Sequence, residues 1–227
     1  MPGLSTMAAF SVVTSSLLFV ILYFFHSFVN LGVKKAALYF GVAAVLSYIL
    51  EFIGINTGIF GTYVYTANLA PFIGEIPLFI PLLWASLSYF CMMSSDNYIV
   101  AAGLMVLLDL SFDPRFSLQL WRWVPAGPYF GVPIQNFVGW FATSLIIFGA
   151  YYLLTKRRPS SSLIAIVFYW LLGLGEVLED ANVGLYEVAA ISTVLFSVAV
   201  LLIYVNARRR GASRAMEAGL LTASQVR

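Results

Sequence analysis

The chain has 227 residues, of which 61% are hydrophobic and only 10% charged, with a formal net charge of +2. A soluble domain carries roughly 25% charged residues, so this chain has too little polar surface to coat itself in water. We predict an all-α polytopic bundle in the cell membrane, because the alternating pattern of a membrane β-barrel is missing. One cysteine and one histidine exclude cysteine metal clusters and histidine-box di-iron oxygenases.

Apolar runs indicate about seven transmembrane helices, since crossing the hydrocarbon takes about 20 apolar residues. The runs cover residues 8–30, 36–54, 76–93, 98–112, 134–154, 163–178 and 185–206. Pro114 is expected to end the fourth helix. The predicted organisation is one transmembrane domain over residues 1–206 and a basic, mobile tail over residues 207–227.

Basic residues indicate the orientation. They follow the first, fifth and seventh runs, as Lys34, Lys35, Lys156, Arg157, Arg158, Arg208, Arg209, Arg210 and Arg214. With seven spans these clusters share one side, and the positive-inside rule makes that side cytoplasmic. The N-terminus is therefore expected outside and the C-terminus in the cytoplasm, with Arg115 and Arg122 as exceptions on the outer side.

Acidic residues gather near the outer ends of the predicted helices. The candidates for catalysis are Glu51, Asp109, Asp113 and Glu176. A carboxylate beside hydrocarbon costs free energy, so it needs a partner or a function. Burial and neighbouring carboxylates favour the protonated form, so at least one acid is expected to remain a proton donor near neutral pH. The alternative is that these acids only pair with Arg115 and Arg122.

Other residues are candidates for binding a substrate. They are Asn56, Trp84, Asn136, Trp140, Trp170 and Glu179. Indole faces inside the spans could stabilise a cation and pack against a polyene. Glu75, Asp180 and Glu187 are expected to be ordinary loop charges, and His26 a structural residue at the opposite end. No nucleotide motif is present, so we expect no nucleotide cofactor, and we expect no nucleic-acid partner. With a single cysteine and a single histidine we also expect no metal.

Several ordered motifs resemble one membrane family, the carotenoid-biosynthesis hydratases that act on gamma-carotene or bisanhydrobacterioruberin. The matching motifs are the segment from Glu51 to Tyr63, Ile76-Pro77, Pro81 to Trp84, Asp109 with Asp113-Pro114, Trp121 and Trp123, Tyr129 to Pro133, Asn136-Phe137 and Gly139-Trp140. The resemblance is clear from Glu51 to Trp140 and extends to the other spans by topology alone.

The resemblance implies a cofactor-independent hydro-lyase that adds water to the terminal isoprenoid double bond of an acyclic carotenoid. The implied partners are the carotenoid, membrane lipid and other enzymes of the same pathway. Our mechanistic hypothesis takes Glu51 and Asp109 as the acid–base pair, with Asp113 and Glu176 in support. Protonation would create a tertiary carbocation, which aromatic faces stabilise and water then captures.

Two alternatives stay open. A membrane carotenoid cyclase would use the same carbocation but lose a proton instead of adding water. A non-enzymatic transporter of protons or small molecules would need acids through the membrane depth, whereas Asp96 is the one acid predicted at the inner membrane end. A retinal protein is excluded, because the last predicted span contains no lysine for a Schiff base.

Overall fold

The structure is a computed structural model that describes the backbone of residues 2–156 and 161–225 and the side chains of residues 10, 12–156 and 161–209. Within these ranges it contains seven α-helices and four short strands. The helices are α1 (Pro2–Leu31), α2 (Val33–Thr57), α3 (Phe79–Ser94), α4 (Tyr98–Phe116), α5 (Ile134–Thr155), α6 (Leu163–Asn182) and α7 (Tyr186–Gln225). The strands are β1 (Tyr63–Tyr65), β2 (Phe72–Ile73), β3 (Ile76–Pro77) and β4 (Trp121–Trp123). The predicted all-α bundle is confirmed.

Helix α3 is the centre of the bundle. It packs against α1, α2, α4 and α6, and every side chain from Trp84 to Ser94 is buried. A helix that is apolar on all sides has no face to offer to water, so it is covered by protein. Its serines have hydrogen-bond partners, since Ser86 donates to the carbonyl of Leu82 in the same helix and Ser88 bonds to Tyr39 on α2.

Among the residues that the structure describes, four helices are long and apolar enough to cross a membrane. They are Val12–Leu31, Val33–Thr57, Ile134–Thr155 and Tyr186–Arg209. Large apolar side chains such as Phe25 and Val29 lie exposed on these helices, as expected for a lipid-facing surface. The protein is therefore a multi-pass membrane protein. Its orientation stays a prediction, and Arg157 and Arg158, on which it partly rests, lie outside the described residues.

Helix α7 continues through the segment predicted as a tail. Its backbone is helical to Gln225, well past the predicted boundary at residue 206. The segment is rich in alanine, arginine and leucine, which are strong helix formers, so it can extend the last span. The predicted domain boundary thus falls inside one helix, and the mobility of the tail stays a prediction.

Pro114 does not end α4, so that prediction is wrong. The helix continues to Phe116 with Pro114 inside its last turns. Proline has no backbone N–H to donate to the carbonyl four residues earlier, which is that of Leu110. The hydroxyl of Tyr129 donates to this carbonyl at 3.1 Å instead. A residue from the following loop thus satisfies the backbone group that the proline leaves free.

We expect Tyr129→Phe to lower the free energy of unfolding by about 1–3 kcal/mol, because the Leu110 carbonyl loses its donor. The cost should shrink in a Pro114→Ala background, where a backbone N–H is available at position 114. Denaturant unfolding in detergent measures both values. The exposed Tyr186→Phe is the control, and equal costs of Tyr129→Phe in the two backgrounds would contradict this account.

The end of the bundle opposite the acids is held by a separate polar network. His26 is buried, with Nδ1 at 2.7 Å from the Tyr89 hydroxyl and Nε2 at 3.1 Å from the Ser162 hydroxyl. These bonds join α1, α3 and the start of α6. His26 therefore joins three helices at the end of the bundle away from the acidic side chains, which agrees with a structural role.

Candidate active site

A two-stranded ribbon of β1 and β4 lies against the acidic ends of the helices. The strands are antiparallel, with Tyr63 opposite Trp123 and Tyr65 opposite Trp121. Because side chains alternate along a strand, these four aromatic residues share one face and Val64 and Arg122 share the other. Val64 and Arg122 are exposed. We call this pair of strands the aromatic ribbon.

The inner face of the aromatic ribbon donates hydrogen bonds to two carboxyl groups. The hydroxyls of Tyr63 and Tyr65 both donate to Glu51 Oε1, the second at 2.5 Å. The indole N–H groups of Trp121 and Trp123 both donate to Asp113 Oδ1, at 2.7 and 2.8 Å. Glu51 therefore receives two donors from β1, and Asp113 receives two donors from β4.

The two tyrosines remain donors across the physiological range. Burial raises the pKa of Tyr63 and of Tyr65 well above the ordinary tyrosine value, and an ionised Glu51 would raise it further. Sequence reasoning did not assign these donors. The alternating Tyr-x-Tyr and Trp-x-Trp patterns are the signal that could have found them, since alternation places both rings of each pair on one face of a strand.

Asn136 joins the two aspartates of α4. Its Nδ2 donates to Asp109 Oδ2 and to Asp113 Oδ2, both at 2.6 Å. Asp109 and Asp113 lie one helical turn apart and are almost fully buried, at 1% and 2% exposure. Asn136 lies in the first turn of α5, so this contact fixes the start of α5 against the end of α4.

We call Glu51, Asp109 and Asp113 the acid cluster. Tyr63 connects Glu51 with Asp113. It donates to Glu51, and its ring centroid lies 4.6 Å from that of Trp123, which donates to Asp113. The hydrogen-bond donors to the cluster are phenols, indoles and an amide, all neutral. Within the described part of the chain, both ion pairs of the structure involve Arg115 and neither involves the acid cluster.

A small cavity of about 30 Å³ adjoins the acid cluster. Its wall includes Glu51, Tyr63, Asn136 and the indoles of Trp84 and Trp140. The two indoles pack with ring centroids 4.3 Å apart and an interplanar angle of 35°. This cavity therefore brings one carboxyl group, one amide and two aromatic rings to a common space, and Glu51 is the acid-cluster member on its wall.

Phe60 also lines this cavity, where its ring packs between α2 and α5. Its ring lies on Gly54 and Gly139, where an added Cβ would come within 2.9 Å of Cδ2 and 2.7 Å of Cδ1 respectively. Only glycine at these two positions leaves room for the ring in this place. Phe60 also lies between Gly58 and Gly61, which have φ angles of 68° and 98°. The short segment thus turns sharply on both sides of the ring.

Glu176 does not join the acid cluster, contrary to expectation. It pairs with Arg115, whose Nε also lies 3.7 Å from Asp180 Oδ1. Asp180 is fully buried and accepts a hydrogen bond from Ser111, so its assignment as a loop charge is wrong. The reason is the helical period. Positions 111 and 115 face α6, whereas positions 109 and 113 face away from it.

Three predicted binding residues also lie elsewhere. Trp170 is 44% exposed on the outside of α6, and the Asn56 side chain donates to the carbonyl of Phe52 in its own helix. Glu179 lines a second, larger cavity together with Glu176. Of the predicted binding residues, Trp84, Asn136 and Trp140 meet at the small cavity. No group of three or more His, Cys, Asp or Glu side chains is arranged to hold a metal ion among the described residues.

We expect Tyr65→Phe and Trp123→Phe each to destabilise the protein by about 1.5–3 kcal/mol, because each removes a hydrogen bond to a charged or partly buried carboxyl group. Val64→Ala and Arg122→Gln, on the outer face of the same strands, should change stability by less than about 0.5 kcal/mol. Unfolding in detergent compares the four variants. Similar costs on both faces would show that the ribbon acts by its backbone alone.

Comparisons with known proteins point to one family. Residues 10–204 match a family model described as carotenoid biosynthesis protein. The match covers α2 to α6 entirely, and most of α1 and of the membrane-crossing part of α7. Neither the curated proteins nor the solved structures contain a match to this chain.

Proposed function

The chain belongs to the carotenoid biosynthesis protein family, and on this premise we propose that it is a carotenoid hydratase. In this proposal it adds water to the terminal double bond of an acyclic carotenoid end and produces a tertiary alcohol. The reaction needs an acid to protonate the alkene, a bound water and a surface that tolerates a carbocation. The acid cluster and the small cavity offer groups suited to these three tasks.

The observation that carries the proposal is the small cavity beside Glu51. A polar cavity needs about 10–15 Å³ to hold one water molecule, so about 30 Å³ suits one or two. Glu51 and Asn136 provide polar partners for that water, while Trp84 and Trp140 turn aromatic surface toward the same space. A water site next to a carboxyl group and two indole faces matches what hydration of a tertiary cation requires.

The composition of the acid cluster favours a proton donor. Three carboxyl groups lie near one another with neutral hydrogen-bond partners, and like charges in a poorly solvated site repel strongly. The lowest-energy arrangement retains at least one proton. Both tyrosines donate to Glu51 Oε1, which leaves Oε2 to carry that proton toward the cavity. In this scheme Asp109 and Asp113 are positioning residues that keep Glu51 protonated.

The proposed steps balance with one carboxyl group. Glu51 gives its proton to the less substituted alkene carbon, and the π electrons form the new C–H bond and leave a tertiary cation on the other carbon. The Tyr63 and Tyr65 hydroxyls stabilise the Glu51 carboxylate that results. Water then adds to the cation while Glu51 takes up one of its protons, which restores the acid and releases the tertiary alcohol.

The cyclase alternative uses the same first step, but a neighbouring alkene attacks the cation and no water is bound. The water-sized polar cavity therefore favours hydration over cyclisation. Product mass separates the two, because hydration adds one water and cyclisation leaves the mass unchanged.

We expect Glu51→Gln to lower the rate of alcohol formation by about 10²–10⁴-fold, since an amide cannot supply the proton. The measurement is expression in a host that makes acyclic carotenoids, with pigment analysis by mass spectrometry. Asp109→Asn should also lower the rate, by less, because it acts through Glu51. Glu75→Gln, an exposed carboxyl between β2 and β3, is the matched control and should retain full activity. Unchanged alcohol formation in folded Glu51→Gln protein would refute the mechanism.

We also expect Phe60 to control access to Glu51. An isoprenoid end is larger than the small cavity, so a neighbouring side chain must move for the alkene to reach the acid. Phe60→Ala removes the ring from between α2 and α5 and should let bulkier chain ends react. The measurement compares rates for substrates with linear and cyclic ends. Phe130→Ala, in the loop between β4 and α5, is the control. The same preference for end size in Phe60→Ala and native protein would contradict this role.

A further inference from the structure

A second cavity, of about 360 Å³, lies along a different face of α4 from the acid cluster. Residues of α1, α3, α4 and α6 line it, and its size falls within the usual range for small-molecule sites. Phe112 and Phe116 belong to its wall, whereas Asp109 and Asp113 lie on the neighbouring face of α4. The large cavity is therefore separate from the small one, and the proposed hydration does not use it.

Most of the wall of the large cavity is apolar. Val12 and Phe19 come from α1, Leu87 from α3, Phe112 from α4 and Leu172 from α6. Such a surface gains free energy when it covers a hydrocarbon chain, at roughly 25 cal/mol per Å² of apolar area removed from water. The ligand that fits this part is a branched or linear hydrocarbon chain.

The remaining wall is polar, and more carboxyl groups than cations lie in or beside it. Arg115, Glu176 and Glu179 line it, and the Arg115 guanidinium also lies close to Asp180. One cation thus faces three carboxyl groups. An anionic headgroup such as a phosphate would meet net repulsion there, because Arg115 is already paired. This charge balance disfavours a phospholipid headgroup and favours a neutral polar group.

A hydroxyl is the neutral group that both kinds of side chain can bind. Arg115 lines the cavity with a side chain that is about nine-tenths buried, and its guanidinium carries more N–H donors than its pairing with Glu176 uses. A ligand hydroxyl oxygen can accept from Arg115 while its hydrogen donates to the carboxylate of Glu176 or Glu179. An alkene or alkane end can do neither.

We propose that the large cavity binds the hydroxyl-bearing end of an isoprenoid chain, with the hydroxyl between Arg115 and the carboxylates and the chain along the apolar wall. Such an alcohol is the product of the proposed hydration, so the inference extends that function. The binding itself requires only the cavity and its charges. An isoprenoid alcohol formed by another enzyme would be held in the same way.

Equilibrium binding to the purified full chain tests this proposal. The probes are a C15 acyclic isoprenoid with a terminal tertiary alcohol and the hydrocarbon with the same skeleton, both added to protein in phosphatidylcholine nanodiscs. All proteins carry Glu51→Gln, so turnover does not alter either probe. We expect the alcohol to bind at least about tenfold more tightly, as a hydrogen bond to a charged group provides.

Variants then assign the binding to this cavity. Ser15→Trp and Val183→Trp place an indole into the cavity from exposed positions on its wall, and each should weaken alcohol binding at least about tenfold. Leu18→Trp, exposed on α1 and outside the cavity wall, should have no effect. Glu179→Gln should reduce the preference for the alcohol over the hydrocarbon, whereas Glu187→Gln, an exposed acid at the start of α7, should not.

Three results would overturn the proposal. They are equal binding of alcohol and hydrocarbon, undiminished binding in both tryptophan variants, and phosphatidylcholine retained in the cavity by native mass spectrometry in place of the alcohol. The test is independent of the hydratase proposal. Loss of the water-adduct mass in the pigment experiment would reject hydration and leave this binding result standing.

Discussion

The fold at the acidic end of the bundle depends on one constraint, which is that carboxyl groups buried beside hydrocarbon need hydrogen-bond donors. The helices alone do not supply enough of them, so the loop segments provide the rest. The aromatic ribbon brings four donors from two loops, Tyr63 and Tyr65 from one and Trp121 and Trp123 from the other. The tyrosines donate to Glu51 and the tryptophans to Asp113. The ribbon is thus held to the bundle by the acids that it satisfies.

Helix α4 divides two polar networks that differ in charge. On one face Asp109 and Asp113 meet neutral donors, and on the next face Arg115 pairs with Glu176 and lies near Asp180. A cation beside a carboxylate favours its ionised form, whereas neutral donors leave a group of acids free to share a proton. The same helix can therefore present an ion pair to one cavity and a proton donor network to the other.

The helices follow from the sequence because apolar length and loop composition are local properties. Each predicted span overlaps one helix for most of its length, and α3 is central because it is apolar on all sides. Local rules failed where a distant residue intervened. Pro114 would end an isolated helix, but Tyr129 satisfies the carbonyl that it leaves free. A prediction from the neighbours of Pro114 alone cannot include a donor fifteen residues away.

The sequence by itself determined that this is a membrane helical bundle and that its acids gather at one end, since both follow from hydropathy and residue position along each span. Only the tertiary structure decided which acids share a site. Asp109 and Glu176 both lie near the ends of their predicted spans, but the rotation and packing of the helices place them in different networks. The position of a residue along a span depends on its own helix. The neighbours that its side chain contacts depend on how the helices pack across the whole bundle.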